Sequence, residues 1–160
     1  MSEVMKMTAP MEVGVACLDL DKQQQFYVDV LGMKVISKYV ISAEMAATTA
    51  LSCESYTVIR LQTPWGERIK LLHSNITQPV ADSPKFILER ANTIYLTFIV
   101  DNLEQMMQKL SDNGIVFSTG TQKVEVRPGV YLAFCEDPEG NILEFVQYAD
   151  IREYRSDLML

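Results

Sequence analysis

Phe26-Tyr27-Val28-Asp29-Val30-Leu31-Gly32-Met33 reads as the end of a helix docked on a sheet. Phe26 and Leu31 supply the apolar contact, and Gly32, just past the last helical turn, lets the chain reverse. Upstream, Asp19 to Leu31 keeps helical spacing with apolar Leu20, Phe26, Tyr27, Val30 and Leu31, and Glu12 to Leu18 before it reads as a short strand. Downstream, Met33 to Ile41 is β-branched and aromatic enough for a strand. Tyr56 to Gln62 and Arg68 to His73 form a hairpin through Thr63-Pro64-Trp65-Gly66-Glu67. The order is β, α, β, β, β.

That order repeats. Ser74 to Arg90, polar and punctuated by Pro79 and Pro84, reads as a connection, and Thr93 to Val100 as a strand. Asp101 caps the next helix with Glu104 three residues on, a capping-box-like pair, and Leu103, Met106, Met107 and Leu110 keep helical spacing until Gly114. Strands are expected at about 115–119, 122–127, 130–136 and 141–148, with turns at Arg127-Pro128-Gly129 and Asp137-Pro138-Glu139-Gly140-Asn141. The expected fold is α+β. It is one domain of two tandem βαβββ modules, 11–73 and 92–148, with a connector at 74–91 and a tail at 149–160. Two curved sheets, each backed by one helix, would enclose a cup.

Composition narrows the function. At 160 residues the chain is long enough for its own core, and 48% apolar residues place it among globular proteins. A net charge of −7 argues against nucleic acid, whose phosphates require clustered Lys and Arg. No apolar run approaches the ~20 residues that span a bilayer, so no membrane partner is expected. The opening MSEVMKMTAP has neither a basic start nor an apolar stretch, which points to a cytoplasmic location. Cys17, Cys53 and Cys135 are widely spaced without a CxxC, so they are expected reduced and mostly buried. The single histidine, His73, excludes a metal site built on two imidazoles and leaves one candidate base for a Ser-His-Asp arrangement. The nine methionines read as core fill, and Trp65 in its turn as a partner-contact or lid residue.

Two motifs then point to a family. Residues 26–33 resemble an FYxxxLGf signature, and Asp137-Pro138-Glu139-Gly140-Asn141-Ile142-Leu143-Glu144 resembles a DPdGNxxE signature, of the vicinal oxygen chelate superfamily. Its members include glyoxalase I, methylmalonyl-CoA epimerase, extradiol dioxygenases and bleomycin-resistance proteins. The resemblance spans about residues 11–148, in the right order.

Metal-dependent members hold a divalent ion with His and Glu from the first and last strands of each repeat. Carried over, the first-strand positions fall on Glu12, where histidine is usual, and on Tyr95. The last-strand positions fall on Lys70, in Ile69-Lys70-Leu71, and on Glu144. Alternation sends Glu12, Gly14 and Ala16 to one face and Val13, Val15 and Cys17 to the other; Ile142, Glu144 and Val146 likewise oppose Leu143 and Phe145. A lysine at that spot would repel a dication and offset the burial of the carboxylates itself. No metal is expected; should one bind, Glu12 and Glu144 would hold it, with His73 recruited by a loop rearrangement. The plain alternatives are a solvent-facing Glu12, a structural ion pair at Glu144, a surface Lys70 and a packed Tyr95.

The resemblance implies a glyoxalase-like small-molecule enzyme of isomerase, epimerase or lyase type. Glu144 or Glu12 would be the base, and Lys70 with Tyr95 would stabilise an enolate. A non-catalytic, drug-sequestering protein of bleomycin-resistance type is the alternative, and a metal-dependent glyoxalase or dioxygenase the third. Either way the partner is a small organic ligand in the cup, and a homodimer is the expected assembly. Ser42 to Ser52, alanine-rich and helix-compatible, reads as an insertion that walls or lids the cup, and the tail Ile151 to Leu160 as a surface for a partner chain.

Overall fold

The computed structural model describes residues 5–81 and 84–158. The start of the chain through Val4, Asp82 and Ser83 of the connector, and the last two residues of the tail lie outside the described residues. The chain divides into two compact units, Met1–Ala81 and Asp82–Leu160.

The first unit runs β1 (Glu12–Ala16), α1 (Leu20–Gln25), β2 (Lys34–Ile41), α2 (Ala43–Thr48), β3 (Tyr56–Gln62) and β4 (Arg68–Ser74). Its four-stranded sheet has the order β1-β4-β3-β2. β1 lies parallel to β4 and the other pairs are antiparallel. Asp19 caps α1 by accepting the Lys22 amide at 2.9 Å. Past Gln25 the helix widens into a π turn over Phe26–Val30, where the Leu31 amide reaches back five residues to the Phe26 carbonyl at 3.1 Å. This differs from the regular helix the spacing predicts. The extra residue per turn brings the neighbours Phe26 and Tyr27 into the core together, edge to face at 5.2 Å, with Val30 beside them. Gly32, at φ +77°, then closes the helix as expected. Beneath the helix, Ile59, Leu61, Ile69 and Leu71 make the buried face of the sheet.

The second unit repeats the plan with β5 (Tyr95–Ile99), α3 (Leu103–Asp112), β6 (Val124–Arg127), β7 (Val130–Glu136), β8 (Ile142–Tyr148) and α4 (Ile151–Tyr154). The sheet order is β5-β8-β7-β6, with β5 parallel to β8. The registers of the repeats correspond position for position: Tyr56 faces Ser74 and Gln62 faces Arg68, as Val130 faces Tyr148 and Glu136 faces Ile142. Lys70 and Glu144 therefore hold equivalent third positions on equivalent strands, and Glu12 and Tyr95 equivalent first positions on theirs. Ala133, Cys135, Leu143 and Phe145 form the buried face, and Phe98 stacks on Phe145 at 5.3 Å.

Several local expectations differ from the structure. The cap of α3 is Asn102, whose side chain accepts the Gln105 amide at 3.0 Å, and not Asp101. The Leu103 amide is taken by Gln147 Oε1 on β8 at 2.8 Å, so tertiary packing fixes where the helix starts. Residues 115–119 form no strand, only an isolated bridge between Phe117 and Cys135. Phe117 is buried there and the chain turns away at Gly120. The methionines are divided: Met33 and Met107 are buried, whereas Met5, Met7, Met11 and Met45 are exposed. The first three of these precede β1 and have no second layer over them. Cys17 and Cys135 are buried and Cys53 is exposed, and none of the three is in a disulfide. Among the described residues no helix is long and apolar enough to cross a membrane.

Candidate functional site

Each sheet has one face given to the core and an opposite face that is partly exposed, with Val58 buried on it in the first unit and Val130 and Val146 in the second, so each unit carries its own candidate surface. In the first unit, period 2 and the strand register put Glu12 and Gly14 of β1, Arg68 and Lys70 of β4, and Arg60 and Gln62 of β3 on the open side. Glu12 pairs with Arg68 at 3.6 Å and with Lys70 at 3.9 Å, every partner about one-third exposed. Arg68 is also held by Gln62, donating through Nε at 2.7 Å. Arg60 lies directly opposite Lys70, and its guanidinium sits 5.9 Å from the centre of the Tyr39 ring.

The second unit presents a different surface on the same strands. A cavity of about 340 Å³ is lined by Tyr95, Thr97, Ile99, Leu132, Glu144 and Val146, and beyond them by Arg127, Tyr148 and Tyr154. Thr97 lies opposite Glu144 and its hydroxyl donates to Glu144 Oε2 at 2.6 Å. Tyr95 is one diagonal step away with its ring edge-on to Phe134 at 5.3 Å, and remains 44% exposed. Tyr148 closes one end. Tyr154, returned by α4, stacks on it at 4.1 Å and 9°. Burial first, and then the hydrogen bond with Tyr154, hold the Tyr148 hydroxyl above the usual phenol range.

The DPEGN turn explains how Glu144 is delivered. Asp137 is buried and accepts the amides of Glu139 at 2.9 Å and Asn141 at 3.0 Å, and the Asn141 side-chain amide at 2.8 Å. Gly140 takes the positive φ (+90°) the reversal needs. The turn thus fixes where β8 begins, and Glu144 follows two residues after Ile142 on the open face.

Of the residues singled out from sequence, the structure brings Glu12 to Lys70 in one unit and Tyr95 to the cavity of Glu144 in the other. His73 is on the opposite face from Lys70, its Nδ1 2.9 Å from the Cys17 carbonyl. Trp65, 67% exposed, sits at the tip of the β3–β4 hairpin. The Ser42–Ser52 insertion forms α2 capped by Ser42, and the Ser52 and Ser74 hydroxyls lie 3.1 Å apart, tying it to the end of β4. Arg60, Arg68, Thr97 and Tyr154 are additional. Once the hairpin at 63–67 is placed, counting outward from Gln62 and Arg68 finds the Arg60–Lys70 pair, a signal the sequence does hold. Within neither unit do three His, Cys, Asp or Glu side chains of the described residues group to hold a metal.

Twin βαβββ units, each with its first strand parallel to its last, define the vicinal oxygen chelate class of proteins. The chain belongs to the Glyoxalase/Bleomycin resistance protein/Dioxygenase superfamily, whose model matches residues 11–145. It is 25% identical over 142 residues to a lactoylglutathione lyase of Schizosaccharomyces pombe, covering 84% of this chain and 45% of that protein. The chain therefore spans less than half the length of that relative. Among solved structures, a glyoxalase family protein from Bacillus cereus superposes with a TM-score of 0.77 at 18% identity, covering 94% of this chain and 99% of its own. A glyoxalase/bleomycin resistance protein/dioxygenase domain from Frankia sp. gives 0.65 at 17% identity, with 91% and 93% covered. At these identities the likeness speaks for the fold.

Proposed function

We propose that the chain is a glyoxalase-like enzyme that moves a proton next to a carbonyl of a small organic substrate, with Glu144 as the base. The observation that supports this most is Glu144 itself: one carboxylate, oriented by Thr97, in a cavity whose other lining is apolar and phenolic apart from Arg127. The Thr97 hydrogen bond occupies Oε2 and leaves Oε1 to take the proton. As the C–H bond breaks, its electron pair forms a C=C bond and the carbonyl pair moves onto oxygen. The Tyr95 hydroxyl donates to that enolate oxygen. Returning the proton to the other face of the same carbon gives an epimer. Where that carbon bears a hydroxyl, the hydroxyl proton passes to the enolate oxygen, the new carbonyl forms on the hydroxyl's carbon, and the proton returned by Glu144 to the former carbonyl carbon gives an isomer. No atoms are gained or lost.

A divalent ion does not suit the donors present. In the first unit Glu12, the carboxylate that pairs on this face among the described residues, already faces two cations, and Lys70 stands at the position a relative's ligand takes. In the second, Glu144 is engaged by Thr97 and its neighbour is a phenol. No step is routed through a metal. In this reading Lys70 neutralises Glu12 in the ion's stead, and the working form is a homodimer, as the family resemblance implies, acting in the cytoplasm.

The test is proton NMR of small α-hydroxy ketones and aldehydes incubated with the enzyme in D₂O. Deuterium should enter next to the carbonyl, the rate should fall about 10²-fold or more in Glu144→Gln, and a chelator should leave it unchanged. An undiminished rate in Glu144→Gln overturns the assignment, and loss of activity to the chelator with one bound ion per chain overturns the metal-free mechanism. One observation favours a second reading, sequestration without turnover: Tyr95, Tyr148 and Tyr154 line one cavity beside Glu144 and Arg127, rings suited to a planar organic molecule. Thermal stabilisation by such a molecule, without any exchange, would select it.

A further inference from the structure

The open face of the first sheet has more positive charge than its own carboxylate balances. Arg60, Lys70 and Arg68 occupy adjacent positions on β3 and β4, and Glu12 is the acidic group that pairs with them. Arg60 directly opposes Lys70, an arrangement that costs stability when two like charges face each other across a strand pair. Among the described residues no carboxylate lies within ion-pairing distance of Arg60. The excess is local: residues 1–81 carry seven Lys and Arg against eight Asp and Glu, and residues 82–160 seven against thirteen.

Shape accompanies the charge. The row across the sheet through this pair reads Ser37, Arg60, Lys70, Gly14, two cations flanked by small residues. The next row reads Tyr39, Val58, Leu72, Ala16 and is apolar, with Val58 buried, Leu72 half-buried and Tyr39 and Ala16 exposed. The heads are also positioned. Arg60 rests over Tyr39, and Arg68 is fixed by Gln62 and Glu12.

We infer that this face is a binding site for an organic anion, its carboxylate received by Arg60 and Lys70 and its apolar body lying along Tyr39, Leu72 and Ala16. A carboxylate offers two oxygens, one for each cation, and charge-assisted hydrogen bonds of this kind are the strong ones. The anion relieves the Arg60–Lys70 repulsion, so binding strengthens as salt is lowered. Tyrosine and leucine beside it favour an aromatic or branched body over a bare ion.

The experiment is an NMR titration of the ¹⁵N-labelled full chain with benzoate at low salt, with benzamide and inorganic phosphate as parallel arms. Benzoate should shift the amide signals around Arg60 and Lys70, and benzamide should leave them in place. Affinity should fall about tenfold in Arg60→Gln and in Lys70→Gln, and Lys70→Arg should restore it. Phosphate moving the same signals supports the anion site and names free phosphate as a second source; phosphate without effect assigns the site to carboxylates. Equal binding of benzamide, or no benzoate shift on β3 and β4, overturns the inference on the wild-type chain alone, whether or not a variant folds. The readout is binding in the first unit, so its failure is distinguishable from failure of the Glu144 mechanism.

Discussion

The two sheets are built on one register and diverge on one side. On the buried side the repeats answer each other with apolar residues: Ile59, Leu61, Ile69 and Leu71 in the first, Ala133, Cys135, Leu143 and Phe145 in the second. On the open side, Arg60, Arg68 and Lys70 stand where the second unit has Phe134, Ile142 and Glu144. The helix-facing surface maintains the fold, because every side chain there has the same task of excluding water. The other surface is released from that task, and there the repeats differ in charge: Arg60, Arg68 and Lys70 outnumber Glu12 in the first, whereas Glu144 and Arg127 stand one to one in the second.

This division is broken most directly through the buried side. Phe145→Ala and Leu71→Ala should cost about 3–5 and 2–5 kcal/mol of stability by urea unfolding, because both side chains are fully buried and leave cavities. Arg60→Ala, on the open side, should stay within about 1 kcal/mol. A cost for Arg60→Ala as large as for Leu71→Ala would mean that the open face is also structural.

A second difference is chemical. Cys135 occupies the register position of Leu61, and burial, followed by the charges of Asp137 and Glu136, pushes its thiol up to about 12 from an ordinary value of 9.0. The folded state keeps the proton that the unfolded state has released above pH 9. This contribution is therefore complete below pH 9 and is lost as pH rises toward 12, at up to about 1.4 kcal/mol per pH unit. Unfolding titrations should show that slope reduced in Cys135→Ala. At pH 8, a thiol reagent should modify Cys53 in the folded protein and reach Cys17 and Cys135 only in denaturant.

Helix caps probe how far local sequence decides. Asn102→Ala should cost about 1 kcal/mol and Asp101→Ala less than about 0.5, with Asp19→Ala matching the former. The reverse order would restore the capping box that sequence spacing suggests at Asp101. The example is instructive about legibility. Turn chemistry is local, so Gly32 and the Asp137–Asn141 loop could be read directly, and with them the order of both repeats. The start of α3 depends on Gln147, 44 residues from Leu103 in sequence, and no local rule reaches that far. The same holds for the π turn at Phe26, set by the space under the helix. At the site, alternation placed Glu12 and Glu144 on their faces, and the family resemblance placed Lys70. The neighbours that give those residues meaning, Arg60 beside Lys70 and Thr97 on Glu144, depend on cross-strand register, and Tyr154 depends on a tail helix folding back.

The smallest expected effect sharpens the comparison between the equivalent first positions, Glu12 and Tyr95. Glu12 interacts through charge: its pairs with Arg68 and Lys70 are about one-third exposed, and exposed ion pairs contribute at most about 1 kcal/mol. Removing it also leaves three cations facing one another. Glu12→Gln should therefore lower stability by up to about 1 kcal/mol in dilute buffer and by only a few tenths in 1 M salt, where the Debye length falls to about 3 Å. Tyr95 interacts through its ring, edge-on to Phe134, and carries no charge to screen. Tyr95→Leu should cost a similar amount at both salt concentrations. If salt leaves the cost of Glu12→Gln unchanged, then Glu12 acts through packing as Tyr95 does, and the charge difference between the open faces has no consequence at this position.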